Sequence, residues 1–546
     1  MVLKCEIGIS GREASMEEYV LDAVVASVES VVPGLGQLAG MLAGLAGELS
    51  GAGAAVMTLE AMEELVVVRG RELLRALYQF GLDAGADAEV RLREVAGADG
   101  VRRTPSGRDH ARALVTTVGE VKVRRIGYRP KVKGVPALFP RDAVLNLPPR
   151  CYSWRLQQLA AMFTRDGAYG LAQEFVRAAT GVTIGKRQLE EIAAAAAADV
   201  AGFYAGPAFP CGLGQPVPDG EQPPVPDGGK LPPLVLSADG KGVAMRPESR
   251  RTRTTAPDQR VRNFSTRPGI GEKGHKRIAE VTCVYDAIPR PRTPEQVMAG
   301  HHGGGDDGGK TAKPAPQAVS RRYSVDIAAD RSAAISWAFD EGEGRDPGHA
   351  RDWLALVDGD NHQIHLIQAE AAARGVTGLT ILIDLIHVLE YLWKAAWAFH
   401  QPRDPAIETW TITQATDILH GRAAEVTDRI ARLAAEHPPQ GPEHVKNISR
   451  VLSYLRARQP YLDYPKALAA GWPVATGVIE GACRHLVKDR MGITGARWST
   501  DGAQAILWLR VIHANHDQDD YWNHHIQQEH QRNHLSRYAG NLTLAA

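Results

Sequence analysis

The spacing of apolar and polar positions changes period several times along this chain. In MEELVVVRGRELLRALYQFGLDAG, residues 62–85, apolar residues recur at helical spacing, within a first hundred residues that read as helices with Gly-rich breaks. ALVTTVGEVKVRRIGYR then alternates apolar and basic residues, which predicts a β-hairpin with one basic face. From Tyr152 to Val200 the pattern returns to helix and divides into three. The last two are joined by TGVTIGKRQ, with a turn at Gly181 and a new helix opening at Lys186-Arg187-Gln188. That layout fits a helix-turn-helix, with Lys186 and Arg187 as DNA contacts, or else a plain helical linker.

A Pro/Gly linker follows, and the period then shortens to that of strands. LVLSADGKGVAM, RIAEVTCVYDAI and RRYSVDIA read as strands, DRSAAISWAFDEG as a helix, and WLALVDGD and LTILIDLIHV as apolar strands separated by a short helical segment. IHVLEYLWKAAWAFH opens a helical run that lasts to about Ala470, and GWPVATGVIEGACRHLVKDRMG reads as one more helix. The order is that of an α/β core interrupted by an α domain. The chain accordingly divides into a helical region (1–110), a basic hairpin segment (111–150), a helix-turn-helix-like region (151–205) and a linker (206–233). A core (234–384) with a flexible insert (289–318) comes next, then a helical insertion (385–474), the end of the core (475–515) and a polar C-terminal tail (516–546).

At 546 residues, 44% apolar and 23% charged, the chain has the composition of an ordinary multidomain globular protein. Its 63 basic and 63 acidic residues cancel, so net charge gives no hint of a polyanionic partner. The distribution does. Lys241–Arg277 holds eleven basic residues against Glu248, Asp258 and Glu272, and Arg102–Lys133 holds ten against Asp109 and Glu120. Such stretches can neutralise phosphates or serve as solvated loops. Five scattered cysteines without a CxxC pair exclude a zinc ribbon and a disulfide framework and fit a reducing cytoplasm. No stretch reads as a signal peptide or a membrane span. Two motif matches fail on context. Gly269–Gly274 (GIGEKG) has no strand leading in, and Gly304–Thr311 (GGDDGGKT) is followed by Pro314 and Pro316, which block the required helix. The C-terminal histidines read as part of a polar tail.

Three acids stand where segments change character: Asp239 after Leu234-Val235-Leu236, Asp358 after Trp353–Val357, and Glu480 on the later helix. Carboxylates suit hard divalent cations, and two such ions can flank a phosphodiester during in-line displacement. Gly240 and Gly359 follow the two aspartates and read as small residues that admit a nucleic-acid backbone. Asp360 reads as a loop residue.

SADGKGVAMRPE, GEKGHKRIAEVTCVYDA, LVDGDN, ILIDLIHVLEYLW, GVIEGACRHLVKDRMGITGARWS and LRVIHAN together span about half the chain. In these blocks the chain resembles the DDE transposases of bacterial insertion sequences, specifically the ISKra branch, which is similar to Mutator-like enzymes. The resemblance implies an RNase H-like mixed-sheet core with a helical insertion before the Glu-bearing helix. It implies Asp239 as first acid and Glu480 as third. Asp384-Leu-Ile-His387 resembles the C/DxxH signature that lies a few tens of residues after the second catalytic Asp; here it follows Asp358 by 26 positions. The second acid is therefore Asp358 by preference and Asp384 as the alternative, with Asp384 and His387 otherwise bracing the site or positioning DNA. Two Mg²⁺ or Mn²⁺ ions are the implied cofactors.

The implied partners are the terminal inverted repeats, target DNA and further copies of the chain, and the implied location is the cytoplasm and nucleoid of a bacterium. Lys241, Arg246, Lys273, Lys276 and Arg277 are candidate DNA contacts, as are Arg484, Lys488 and Arg490 on the Glu480 helix. Arg497 is a candidate phosphate clamp, and Trp498 either stacks on an extruded base or packs in the core. Many relatives carry Cys-rich zinc elements near the N-terminus and this chain has none, so end recognition falls to the hairpin and the helix-turn-helix. The alternatives to a transposase are an RNase H-fold nuclease without strand transfer and an inactive or domesticated DNA-binding protein.

Overall fold

The protein, seen here as a computed structural model, is described over residues 35–107, 110–205, 231–249, 276–299, 314–327, 331–401 and 404–539. It divides into two compact units. One comprises residues 1–164, 169–192 and 522–546; the other comprises 165–168 and 193–521. The linker up to residue 230, most of the basic segment between Lys241 and Arg277, Lys273 among it, and both rejected glycine motifs lie outside the described residues.

In the first unit, helices α1 (Leu35–Ser50) and α2 (Leu59–Asp87) lie side by side. Thr58 caps α2, its hydroxyl oxygen accepting from the Ala61 N–H at 3.2 Å. Strands β1 (Val95–Ala96), β2 (Arg102–Gly107) and β5 (Gly127–Arg129) form a small antiparallel sheet, and β3 (Arg112–Thr116) and β4 (Gly119–Val123) form the expected hairpin. Its alternate residues Leu114, Val121 and Val123 pack with Leu82 and Leu147.

The basic face of this region is partly consumed internally. Arg124 pairs with Asp83 and Asp87, Arg125 with Asp142, Arg103 with Asp99 and Arg102 with Glu94. None of these five acids belongs to the local acid count made from sequence. These four arginines are offset by acids from outside the stretch, while Lys122, Arg129, Lys131 and Lys133 remain exposed.

Helices α3 (Trp154–Asp166), α4 (Tyr169–Thr180) and α5 (Lys186–Ala196) share one core through Leu156, Ala160, Val176, Ile184, Leu189 and Ile192. Gly181, at φ +75°, turns the chain out of α4, which a residue with a side chain does only under strain. The segment read as a polar tail is largely helical, from Gln518 to Asn533. Its histidines are spent on the backbone: His530 donates to the Ala143 carbonyl and His534 to that of Leu147.

The second unit is built on a five-stranded mixed sheet. Its strands are β6 (Leu234–Ala244), β7 (Lys276–Ile288), β8 (Gln317–Asp326), β9 (Trp353–Val357) and β10 (Leu379–Ile383), in the spatial order β10–β9–β6–β7–β8. The pairs β6–β7 and β7–β8 are antiparallel, and β6–β9 and β9–β10 are parallel. Both faces are covered, which is why the central strands read as continuous apolar runs. Helix α6 (Arg331–Arg345) packs on β6 and β7, and α7 (Asn361–Arg374) connects β9 to β10. Arg345 and Arg351 surround the buried Asp286 of β7, so this charge is compensated rather than left bare.

The helical insertion is α8 (Leu385–Phe399), α9 (Ala406–Leu419), α10 (Ala423–Glu436) and α11 (Pro442–Arg458), closed by a short helix at Tyr464–Ala469. Leu392, Ile418, Ile430 and Val451 are its buried residues from the four helices. The chain returns to the sheet with α12 (Gly477–Ala482), which continues as a π-helix over Cys483–Lys488, and with α13 (Thr500–Ala514) against β8. Among the described residues no helix is long and apolar enough to cross a membrane.

Candidate metal centre

The parallel half of the sheet gathers the aspartates. Ser237 of β6 pairs with Leu356 of β9, and Val357 of β9 pairs with Ile383 of β10. Continuing these registers by two residues and by one sets Asp239 beside Asp358, and Asp358 beside Asp384. This alignment continues registers that stop at Ser237–Leu356 and Val357–Ile383, and among the described residues neither Asp239 nor Asp358 joins a group of ligand atoms within 4.8 Å of one another. Asp239 does not end its strand. β6 runs on to Ala244, paired with β7 (Asp239 opposite Val281, Ala244 opposite Lys276). The pairing with β9 ends earlier, at Ser237 opposite Leu356. Glu480 comes from α12, which packs on β6 and β7. Ligand atoms of Asp384, His387 and Glu480 all lie within 4.8 Å of one another.

The two candidate second acids have very different surroundings. Asp384 is fully buried and caps α8. One carboxylate oxygen accepts from the N–H groups of Ile386 and Thr476, both at 3.1 Å. The other accepts from the Thr476 hydroxyl at 2.7 Å and from His387 Nδ1 at 2.8 Å. Burial pushes this carboxyl up, but the His387 and Thr476 hydrogen bonds outweigh it and hold it below the usual carboxylate range. The bond to Asp384 in turn raises His387 above its ordinary value, against the cost of its burial and with help from the charges of Asp384 and Asp358.

Asp358 is only half-buried, and its carboxylate accepts from the Asp360 N–H at 2.8 Å. Its loop is braced through the backbone. The Tyr454 hydroxyl donates to the Asp358 carbonyl at 3.1 Å, and Arg458 Nε donates to the Gly359 carbonyl at 2.6 Å. Asp239 is likewise half-buried, one oxygen accepting from the Gly240 N–H at 2.7 Å. Loss of solvent and the Asp384 charge push Glu480 up, Asp239 adds to this, and His387 opposes it.

The clustered group Asp384, His387 and Glu480 has the donor types that can hold a divalent cation. Asp239, Asp358 and Glu480 supply partly accessible oxygens, whereas both Asp384 oxygens already accept from N–H and O–H donors. Asp384 thus holds the His387 ring through Nδ1, while Asp358 keeps a carboxylate with one backbone donor.

Several readings change. Gly359 has φ +94°, and an added Cβ would stand 3.1 Å from the Tyr454 hydroxyl and 3.2 Å from Arg458 Nε. At Gly240 an added Cβ would meet Ile278 Cγ2 at 2.6 Å. Packing within the protein constrains both positions, most strongly Gly359 with its left-handed backbone. Asp360 is more than a loop residue: it caps α7 through the His362 and Gln363 N–H groups and pairs with Arg331, which also holds Glu280 of β7.

Lys241, Lys276, Arg484, Lys488 and Arg497 are exposed, and Arg246 is half-buried. Arg277 donates to the Thr500 hydroxyl at 2.9 Å. Arg490 and Trp498 are buried, with the guanidinium 4.8 Å from the indole centroid and the indole N–H donating to the Met491 carbonyl at 3.3 Å. That corrects both as DNA-facing residues. Trp498 belongs to the core, where its backbone pairs with the end of β6 at Ala244 and Arg246. In the first unit Lys186 and Arg187 are exposed at the start of α5, and Arg187 is 3.3 Å from Glu191.

Sequence reasoning missed Thr476, Tyr454, Arg458 and Arg331. Each acts through an ordinary hydrogen bond to a distant segment, and no local pattern marks such a bond. No known protein-family profile matches this chain, and no curated protein is similar to it.

Proposed function

We propose that this chain is a DDE transposase of a bacterial insertion sequence, a metal-dependent polynucleotidyl transferase on an RNase H-like core. The observation that supports the reading is the cluster of Asp384, His387 and Glu480 at the end of parallel strands whose registers, continued, align Asp239, Asp358 and Asp384. The order of elements supports it as well: three antiparallel strands, helix, strand, helix, strand, helical insertion, acid-bearing helix.

In this reading Asp239, Asp358 and Glu480 hold the cations. Bound there, divalent ions would activate the attacking oxygen and stabilise the leaving one. The chain's own residues fix the geometry. Asp384 orients His387 through Nδ1, Thr476 and the Ile386 N–H lock Asp384, and Tyr454 and Arg458 hold the Asp358 loop from the insertion. Exposed Lys241, Lys276, Arg484, Lys488 and Arg497 face the DNA phosphates. Water attacks a phosphorus at the element's end and the P–O3′ bond breaks, leaving a 3′-hydroxyl. That hydroxyl then attacks a target phosphodiester and displaces its 3′-oxygen.

The test is cleavage of a labelled duplex carrying the element's own end, with Mg²⁺ or Mn²⁺. Asp239→Asn is expected to bind the end and fail to cut it. Cleavage retained by Asp239→Asn overturns the assignment. Cut but never joined products favour the nuclease alternative, and tight end binding by wild type without any metal-dependent cleavage favours the DNA-binding one.

A further inference from the structure

Asp384 holds two helices at once. It caps α8, and its carboxylate also receives the N–H and hydroxyl of Thr476, the residue just before α12. One buried charge therefore sets where His387 and Glu480 stand. A ring nitrogen of His387 and a carboxylate oxygen of Glu480 lie within 4.8 Å of each other. Two metal bonds of about 2.1 Å each reach across about 4 Å, so a small side-chain rotation closes the pair on one ion.

Both groups have an atom to give. His387 Nδ1 is engaged by Asp384 at 2.8 Å. Its Nε2 has no hydrogen-bond partner among the described residues, and neither has the Glu480 carboxylate. Because Asp384 accepts, Nδ1 carries the proton in the neutral ring and Nε2 the lone pair. A carboxylate on the far nitrogen is the usual outer support of a histidine metal ligand: it fixes the ring and makes the near nitrogen a better donor. Asp239, Asp358, Asp384 and Glu390 each act electrostatically on His387 or Glu480, which favours a cation beside them.

We propose that His387 binds a cation directly through Nε2, beside Glu480, and that this nitrogen makes the centre prefer a first-row transition ion such as Mn²⁺ over Mg²⁺. Mg²⁺ takes oxygen ligands and gives up water reluctantly, so an imidazole adds little to its binding. Ions along the first transition row gain more from a nitrogen donor. The inference rests on the cation centre of the proposed function and adds its donor atom and metal class, which carboxylates alone leave open. No step of the DNA reaction enters it.

The test uses Mn²⁺ and the full chain without DNA. Pulsed electron paramagnetic resonance of bound Mn²⁺ is expected to show modulation from a directly bound nitrogen. His387→Ala should abolish that modulation and weaken Mn²⁺ by at least about tenfold, a loss typical even of an outer support. Mg²⁺ binding, read by competition, should change several-fold less. Glu480→Gln, at an exposed site, should also weaken Mn²⁺ with the fold retained. Should His387→Ala fail to fold, the wild-type spectrum and Glu480→Gln still decide. Mn²⁺ bound without nitrogen coupling overturns the proposal and leaves the transposase reading standing on oxygen ligands. Nitrogen coupling that survives His387→Ala overturns it as well, because the donor is then another histidine. So does a wild type that binds no Mn²⁺ up to about 1 mM; cleavage of the element's end then judges the transposase reading separately.

Discussion

The ends of β9 and β10 make an instructive pair. Each strand is a short apolar run followed by an aspartate, and the two aspartates are neighbours in register. Asp384 is wholly buried, and its two oxygens receive four hydrogen bonds. Asp358 is half-open, with one backbone donor on its carboxylate and its brace on the main chain behind it. A carboxylate saturated with donors is a fixed structural charge. One held by its backbone with oxygens to spare is available to a cation. The same local sequence signal therefore ends in opposite surroundings, and the partners supplied by remote segments decide which.

The largest effect that tests this contrast is on catalysis. Asp358→Asn should lower cleavage by at least about 10²–10³-fold while the protein melts close to wild type. An Asp358→Asn protein that cuts normally would transfer the ligand role to Asp384. The complementary effect is on stability. Asp384→Ala strands the Thr476 hydroxyl and His387 and should cost about 3 kcal/mol in denaturant unfolding, against under about 1 kcal/mol for Asp358→Ala. Equal losses at the two sites would erase the distinction.

Gly359→Ala is next. It combines a left-handed backbone with a Cβ crowding Tyr454 and Arg458, and about 1–3 kcal/mol of destabilisation should appear together with a fall in activity. A neutral result would mean that the insertion does not hold the Asp358 loop.

The smallest effect is on pH. Because Asp384 raises the folded-state value of His387, the pair's contribution is complete below the ordinary imidazole value of 6.5. It is lost as pH rises through the higher folded value. NMR titration of His387 should show that elevation, and Asp384→Asn should bring it down. An imidazole titrating at or below its ordinary value in wild type would contradict the brace.

Much of the core could be read from the chain. The runs LVL, WLALV and LTILI, the helical insertion and the Glu480 helix all occur where their periodicity places them, because strand and helix burial write directly into apolar spacing. Partnership could not be read. Thr476 lies 92 residues from Asp384 and Tyr454 lies 96 from Asp358, and nothing local at either residue announces those bonds. Arg490 looked like surface chemistry and is core, and Trp498 takes the core-packing alternative, since the long apolar stem of an arginine and the indole ring can stack on each other out of water. Four arginines of the hairpin region, Arg102, Arg103, Arg124 and Arg125, are ion-paired to acids from α2, from the loops around the small sheet and from the short helix Pro140–Val144.

By itself, then, the sequence determined the elements and the identity of the candidate acids, since hydrophobic period and residue chemistry are local quantities. Only the tertiary structure decided which acids are brought together, which of them is saturated and which basic residues remain open. Register, burial and hydrogen-bond partnership depend on segments far apart in the chain and exist only once those segments meet.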